Sequence, residues 1–279
     1  MNGILYVTGT PIGNLEDLTF RQLRILREVD FIAAEDTRVT RKLLTHFEIK
    51  TELVSYHEHS DVSVIHSILD RIASGQNCAI VTDAGMPCIS DPGEKLVRAC
   101  YERNIPVQSV PGASAVITAL SVCGGSTRQF VFYGFLPVEK KQRSTMLREL
   151  QSEARTSVLY EAPHKLCRTL SDLCETAGAD RQIAICRELT KIHEEVLRFC
   201  LGDAVKYYET HTPRGEFVLV LDGAELPEQD AFTLEDAVAI AESYLAQGMP
   251  VMTAAKSAAK ETGISKNKIY QSLHTGNCE

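Results

Sequence analysis

The stretch LYVTGTPIGNLEDLTFRQL, Leu5 to Leu23, passes from an apolar run through a loop holding Gly9, Pro11 and Gly13 into a helical pattern. Strand, glycine loop and helix in that order open many nucleotide-binding α/β domains. The spacing decides what such a loop can hold. A dinucleotide fingerprint needs G-x-G-x-x-G, and a phosphate loop needs G-x-x-x-x-G-K-[ST]. Here Gly9-x-x-x-Gly13 runs into Asn14 and Leu15, so neither pattern fits. Pro11 also removes one of the backbone N–H donors on which a phosphate cradle depends. A phosphate site is disfavoured, and a tight connection beneath some other ligand stays open.

The alternation that starts here continues. Ile4–Thr8, Phe31–Ala34, Cys78–Val81 and Pro106–Val110 are short apolar runs, with a weaker one at Glu52–Ser55. Between them lie helical patterns. Asp17–Arg27 has Leu18, Leu23, Ile25 and Leu26 as an apolar stripe, and further patterns cover Thr37–His46, Val62–Ile72 and Glu94–Arg103. This predicts a largely parallel sheet with helices on its faces. The segment CGGSTR (Cys123–Arg128) marks a boundary, so 1–123 is read as an N-terminal α/β domain and 124–224 as a second one. In the second, strands are expected at Phe130–Tyr133, Ser157–Tyr160, Gln182–Cys186, Glu194–Phe199 and Phe217–Leu221, and helices at Val138–Ala154 and Pro163–Thr176. So many adjacent strands predict a mixed sheet. The acidic, loop-like AELPEQDA (Ala224–Ala231) leads into a helical tail, 225–279, with patterns over Leu234–Ala246, Pro250–Glu261 and Ser265–Leu273. Gly263 supplies its turn and Ser265 an N-cap.

The bulk properties bound the function. The 279 residues suffice for about two domains. A net charge of −8 argues against charge-driven nucleic-acid binding, though not against RNA held on a local basic patch. Nine cysteines include no C-x-x-C pair. Their scatter among apolar neighbours points to reduced core residues of a cytosolic protein rather than zinc or disulfides. The chain reads straight into a strand, so no signal peptide is expected. Asn104–Thr127 is uncharged, but its prolines and glycines make it strand, turn and short buried helix rather than a membrane span. No membrane partner and a cytoplasmic location follow as expectations.

Two further Pro/Gly loops follow strand ends: VTDAGMPCISDPGEK (Val81–Lys95) and SVPGASAVITAL (Ser109–Leu120). In open α/β sheets, ligands gather outside the carboxyl ends of the strands. Asp83 reads either as a ligand contact or as a plain loop carboxylate. Asp91, ahead of Pro92, reads as a ligand contact or as a helix cap. The small residues Gly112, Ala113, Ser114 and Ala115 leave a ligand room against the backbone.

In this order GTPIGN, TDAGMPCISDPG and PGASA resemble the corresponding loops of the tetrapyrrole (corrin/porphyrin) methylase superfamily. AAEDTR (Ala33–Arg38), SYHEHS (Ser55–Ser60), YGFLP (Tyr133–Pro137), YEAPHKL (Tyr160–Leu166) and RELTKIHEE (Arg187–Glu195) are similar to one branch, the small-subunit ribosomal RNA 2′-O-methyltransferase I family. The resemblance runs from about Leu5 to Leu221 and extends to the tail. It implies two α/β domains of tetrapyrrole-methylase type with S-adenosylmethionine in the cleft between them, plus a small C-terminal helical segment. The methionine and ribose portions would sit on Pro11, Asp83, Ala84, Gly85, Cys88, Ser114 and Ala115. The adenine side would come from Glu161, Ile185, Cys186 and the Pro213–Phe217 segment. The implied reaction is 2′-O-methylation of a cytidine ribose in the decoding region of 16S ribosomal RNA, within the assembled small subunit, by a homodimer without a metal. Corrin methylases have G-x-G-x-G-D in the first loop; this chain ends that loop in Asn14, which weakens a tetrapyrrole substrate. The rival readings are a small-molecule methyltransferase and a non-catalytic ribosome-assembly factor.

Methyl transfer from a sulfonium is an in-line displacement, helped by alignment and by a base for the ribose hydroxyl. Candidate bases are His57, Glu58 and His59; Glu35 and Asp36; and His164 and Lys165. AAEDTR reads equally as a strand end and N-cap, with Asp36 capping and Arg38 pairing locally, and HEH equally as a solvated loop. Glu35, Asp36, Arg38, His57 and Glu58 are therefore substrate-side candidates with no base assigned. For RNA contact the densest basic segments are EKKQR (Glu139–Arg143) and TRVTRK (Thr37–Lys42). The tail adds Lys256, Lys260, Lys266 and Lys268 around a turn that resembles a helix-turn-helix. Those lysines read equally as a solvated helix face, and the tail equally as a cover for the cleft or a dimer contact.

Overall fold

The computed structural model describes residues 2–225 and 232–275. All but the first two residues of the predicted acidic loop, and Cys278, lie outside these. The chain divides into one compact unit, Met1–Ala224, and another, Glu225–Glu279.

The first half of the larger unit runs β1 (Leu5–Thr8), α1 (Phe20–Glu28), β2 (Phe31–Ala34), α2 (Thr37–His46), β3 (Glu52–Ser55), α3 (Val62–Ala73), β4 (Cys78–Val81), α4 (Glu94–Glu102), β5 (Val107–Val110) and α5 (Ala115–Val122). The five strands form a sheet of order β3-β2-β4-β1-β5, parallel throughout. Every residue of β2 and β4 is buried, which is why both read as unbroken apolar runs. Successive side chains alternate between faces. Phe31 meets Ile68 and Ile72 of α3 and Leu96 of α4, whereas Ile32 meets Ile25 and Leu26 of α1 and Leu44 of α2.

The start of α1 differs from the sequence expectation. Thr19 and Gln22 form a reciprocal capping box, so the helix begins at Phe20 rather than Asp17. Leu15–Asp17 is a separate 3-10 turn capped by Asn14, and Leu18 lies outside the apolar stripe.

The second half runs β6 (Phe130–Phe135), α6 (Lys140–Ser152), β7 (Thr156–Glu161), α7 (Pro163–Ala177), β8 (Gln182–Arg187), β9 (Glu195–Cys200), α8 (Leu201–Thr210) and β10 (Phe217–Leu221). Its sheet has the order β6-β7-β10-β8-β9, with β6 and β7 parallel and the other pairs antiparallel. Helix α8 is additional to the elements expected from the sequence; its Leu201, Ala204 and Tyr208 recur at helical spacing and are buried. They pack with Leu150 of α6 and Leu170 and Leu173 of α7 on one face of this sheet. On the other face, Val116, Ala119 and Leu120 of α5 pack against Val158, Cys186 and Val218. Helix α5 thus joins the two halves by burying one side on the second sheet.

The smaller unit holds α9 (Leu234–Ala246), α10 (Val251–Thr262) and α11 (Lys266–Thr275). Its core is made of small residues, Ala237, Ala241, Ala255 and Ala258, with Ile269 and Leu273. Gly263 closes α10 at φ +73°, a left-handed cap that suits glycine. Lys256, Lys260, Lys266 and Lys268 are all exposed. Among the described residues no helix is long and apolar enough to cross a membrane.

Strands β4, β1 and β5 are neighbours and parallel, so the loops that leave their carboxyl ends emerge side by side. The loop after β1 is fastened to both others. Thr10 and Gly85 exchange backbone hydrogen bonds of 2.9 and 3.1 Å, and the Thr10 hydroxyl donates to the Thr82 carbonyl at 3.0 Å. Gly9 and Gly112 approach so closely that a Cβ on Gly9 would lie 2.9 Å from the Gly112 Cα. Gln22, 1% exposed, donates from its side-chain amide to the Gly9 carbonyl at 2.7 Å. Gln22→Leu leaves that carbonyl unpaired in the interior and removes half of the capping box. The expected loss is about 1–3 kcal/mol of unfolding free energy, read from urea melts.

Candidate functional site

A cavity of about 540 Å³ lies where these loops face the second sheet. Ala84, Gly85 and Asp91 from the loop after β4, and Ser114 and Ala115 from the start of α5, supply one wall. Phe135, Tyr160, Glu161, His164, Cys186 and Phe217 supply the other. Among the described residues no Lys or Arg lines this cavity, whereas Asp91, Glu161 and Glu216 do. Ser114 is the N-cap of α5 and makes no side-chain capping bond. The arrangement suits a ligand with a cationic centre and disfavours a phosphate.

Asp91 does not cap α4; Gly93 holds that position, at φ +139°. The Asp91 carboxyl is half-buried, and burial, reinforced by the charges of Glu35 and Asp83, pushes it up to about 6. Glu161, 4% exposed at the end of β7, is held from two sides. One oxygen accepts the Ala162 N–H at 2.8 Å and the other accepts the Thr169 hydroxyl at 2.5 Å. Thr169 in turn accepts from the Arg143 guanidinium at 3.0 Å, and Arg143 donates to Asp172 at 2.7 Å. Arg143 is therefore a buried support of the cavity wall and not part of an exposed basic segment, which corrects the reading of EKKQR; Lys140 and Lys141 remain exposed.

A second cavity, about 480 Å³, shares Ile12, Ala84 and Glu216 with the first. Pro11 and Asp83 line this one rather than the first, together with Thr82, Val39 and Lys191. Lys191 bridges Glu188 and Glu216 at 2.8 Å each. Glu35 and Asp83 stand at the ends of the adjacent strands β2 and β4. The Asp83 N–H donates to Glu35 at 3.4 Å and the Asp36 N–H donates to Asp83 at 3.2 Å. Burial is the main cause that raises the proton affinity of both carboxylates, and the neighbouring acids add to it.

Of the remaining candidates, Asp36 caps α2 through the Arg38 N–H at 2.8 Å and pairs with the Arg38 guanidinium at 2.7 Å, which holds its carboxyl down to about 2. Capping with local pairing is thus the arrangement of AAEDTR. His57, Glu58 and His59 form an exposed turn that lines neither cavity, although the Glu58 charge reaches Glu35. His164 lines the first cavity and Lys165 does not. Cys88 takes φ +71° and packs its sulfur against Gly93, outside the lining. Ile185 points into the core beneath α6, α7 and α8, on the opposite face of β8 from Cys186. Among the described residues no group of three or more His, Cys, Asp or Glu side chains is placed to hold a metal ion.

Residues 4–205 match the family model described as tetrapyrrole (corrin/porphyrin) methylases. The chain is 46% identical over 269 residues to a ribosomal RNA small subunit methyltransferase I of Synechocystis sp., covering 96% of each chain. It is 46% identical over 275 residues to the protein of the same name in Halalkalibacterium halodurans, covering 98% of this chain and 95% of that one. Its fold is similar to that of a uroporphyrin-III C-methyltransferase from Thermus thermophilus, solved with S-adenosylhomocysteine. That likeness has a TM-score of 0.55 and 16% identity, over 78% of this chain and 96% of that one.

Asp91 gives the site a pH signature. The native carboxyl keeps its proton to about pH 6 while the unfolded one releases it near 3.8, so the native state holds more protons between these values and stability falls as pH rises through them. The full difference corresponds to about 3 kcal/mol, which solvent screening of a half-exposed group cuts to about 1 kcal/mol. Asp91→Asn is expected to be about 1 kcal/mol more stable, relative to wild type, at pH 7 than at pH 4, as read from urea midpoints.

Proposed function

We propose, for a chain that belongs to the tetrapyrrole (corrin/porphyrin) methylase family, that it transfers a methyl group from S-adenosylmethionine to ribosomal RNA of the small subunit. The acceptor is the 2′-hydroxyl of a cytidine ribose in the decoding region, met in the assembled subunit by a cytoplasmic homodimer. The observation that carries the reading is the first cavity, walled by both sheets, with the carboxylates Asp91, Glu161 and Glu216 and, among the described residues, no Lys or Arg in its lining. The names of the relatives, alike over nearly the whole chain, support RNA rather than a tetrapyrrole as acceptor.

The residues fit such a cofactor group by group. S-adenosylmethionine, when bound, supplies a methyl on a sulfonium that is open to in-line attack. The uncapped first turn of α5 at Ser114 and Ala115 suits its carboxylate. Asp91 and Glu161 suit its ammonium and its sugar hydroxyls, and the Thr169–Arg143 support keeps Glu161 in place. Ile89 and Phe135, 49% and 53% exposed, offer apolar cover that excludes water. Gly85 and Ala84 bring backbone rather than side chain to the shared wall. Glu35 and Asp83, whose proton affinity burial raises, suit uptake of the proton released by the ribose hydroxyl. Arg38, Arg41 and Lys42 are exposed along α2 and provide charge for RNA phosphates.

The test is transfer of a labelled methyl group to small subunits isolated from cells that lack the enzyme. Label is expected in a 2′-O-methylcytidine after nuclease digestion. Label in a uroporphyrinogen or precorrin and none in RNA would overturn the reading, as would a failure to bind S-adenosylmethionine in calorimetry. Ser114→Trp, which fills the first cavity, is expected to weaken cofactor binding by about tenfold or more, ~1.4 kcal/mol.

A further inference from the structure

A cofactor filling the first cavity leaves the second without an occupant. This space is nearly as large, about 480 Å³ against about 540 Å³, and within the range of small-molecule sites. Its lining is unfinished in two respects. Leu15 and Val39 remain 40% and 39% exposed, so apolar surface stands open there. Thr82, only 1% exposed, lines the cavity, and among the described residues its hydroxyl has no hydrogen-bond partner. Buried hydroxyls are nearly always paired, so an unpaired one in a cavity wall points to a polar atom that arrives with a ligand.

We infer that the second cavity receives the base of the target nucleotide, turned out of the RNA, with its ribose at the wall shared by the two cavities. The inference rests on the RNA reading above and deepens it. A nucleobase is flat and apolar on its faces and carries donors and acceptors along its edge, the chemistry that Leu15, Val39 and the Thr82 hydroxyl leave unsatisfied. His46, also in the lining, adds an imidazole on which a base can stack. Enzymes that modify a nucleotide within structured nucleic acid extrude it into a pocket of this kind. The shared wall at Ile12 and Ala84 then explains the division into two cavities. A ribose attached to a base on one side faces a methyl donor on the other, and both partners are held for an in-line approach.

The experiment compares wild type, Val39→Trp and Thr82→Val, since neither position lines the first cavity. Cofactor affinity is measured by calorimetry, and methyl transfer by steady-state kinetics on small subunits from cells lacking the enzyme. Val39→Trp, filling the second cavity, is expected to keep cofactor affinity within about twofold while kcat/KM for the subunit falls at least about tenfold. Thr82→Val keeps the shape and removes the hydroxyl; its KM for the subunit is expected to rise about fivefold with kcat little changed. Unchanged kinetics in a Val39→Trp protein with native circular dichroism would overturn the inference. Loss of cofactor affinity in that folded protein would also overturn it, because the two cavities would then be one site. Should Val39→Trp fail to fold, Thr82→Val decides, and an unchanged KM overturns the inference. If wild type binds the cofactor but puts no methyl into RNA, the RNA reading itself has failed. That result is distinct from a failure of the variants alone.

Discussion

Everything at the site depends on how closely three backbone segments approach above the neighbouring strands β4, β1 and β5. Parallel pairing sends their loops out on one edge. The contact between Gly9 and Gly112 and the two-way pairing of Thr10 with Gly85 then draw them into a single surface. Side chains at Gly9 or Gly112 would force that surface apart. Gln22 reaches in from α1 to hold the Gly9 carbonyl. The helix that follows the loop thereby becomes part of the loop's own support.

Charge is distributed to match. Among the described residues the first cavity is lined by Asp91, Glu161 and Glu216 and by no Lys or Arg. The cations nearby are paired or turned outward: Lys191 between Glu188 and Glu216, Arg38 on Asp36, and Arg143 below the wall. In a chain of net charge −8, Arg38, Arg41 and Lys42 of α2 are exposed cations. Carboxylates that are crowded and partly desolvated, as Glu35, Asp83 and Asp91 are, bind protons more readily, which is useful where a hydroxyl must give one up.

Much of the architecture was legible in the sequence because doubly buried parallel strands leave unbroken apolar runs, and β2 and β4 are buried at every residue. The three loops were legible because glycine and proline mark them. What the sequence leaves open is settled by contacts that only the fold creates. Arg143 looks like one of a cluster of surface cations until Asp172 and Thr169 are seen to enclose it. Asp91 looks like a cap until Gly93 is found to take that position. Thr169 carries no signal beyond a helix interior, since its role exists only through Glu161. Helix α8 did have a signal in Leu201, Ala204 and Tyr208, but a short helix between two strong strands is easily passed over. In a strand, adjacent side chains face opposite ways, so Ile185 turns into the core while Cys186 turns toward the cavity.

The position of β1 has a consequence for how the molecule is made. This strand is synthesised well before its hydrogen-bonding neighbours, Leu5 pairing with Cys78 on one side and with Val107 on the other. Until the chain has been synthesised beyond β5, the segment that carries GTPIGN has no slot to occupy, and pairings so remote in sequence form slowly. The loop that follows β1 is therefore seated only after residues about a hundred positions further on have been made. During that interval the apolar stretch LYVT is an unpaired strand edge, open to whatever can shield it.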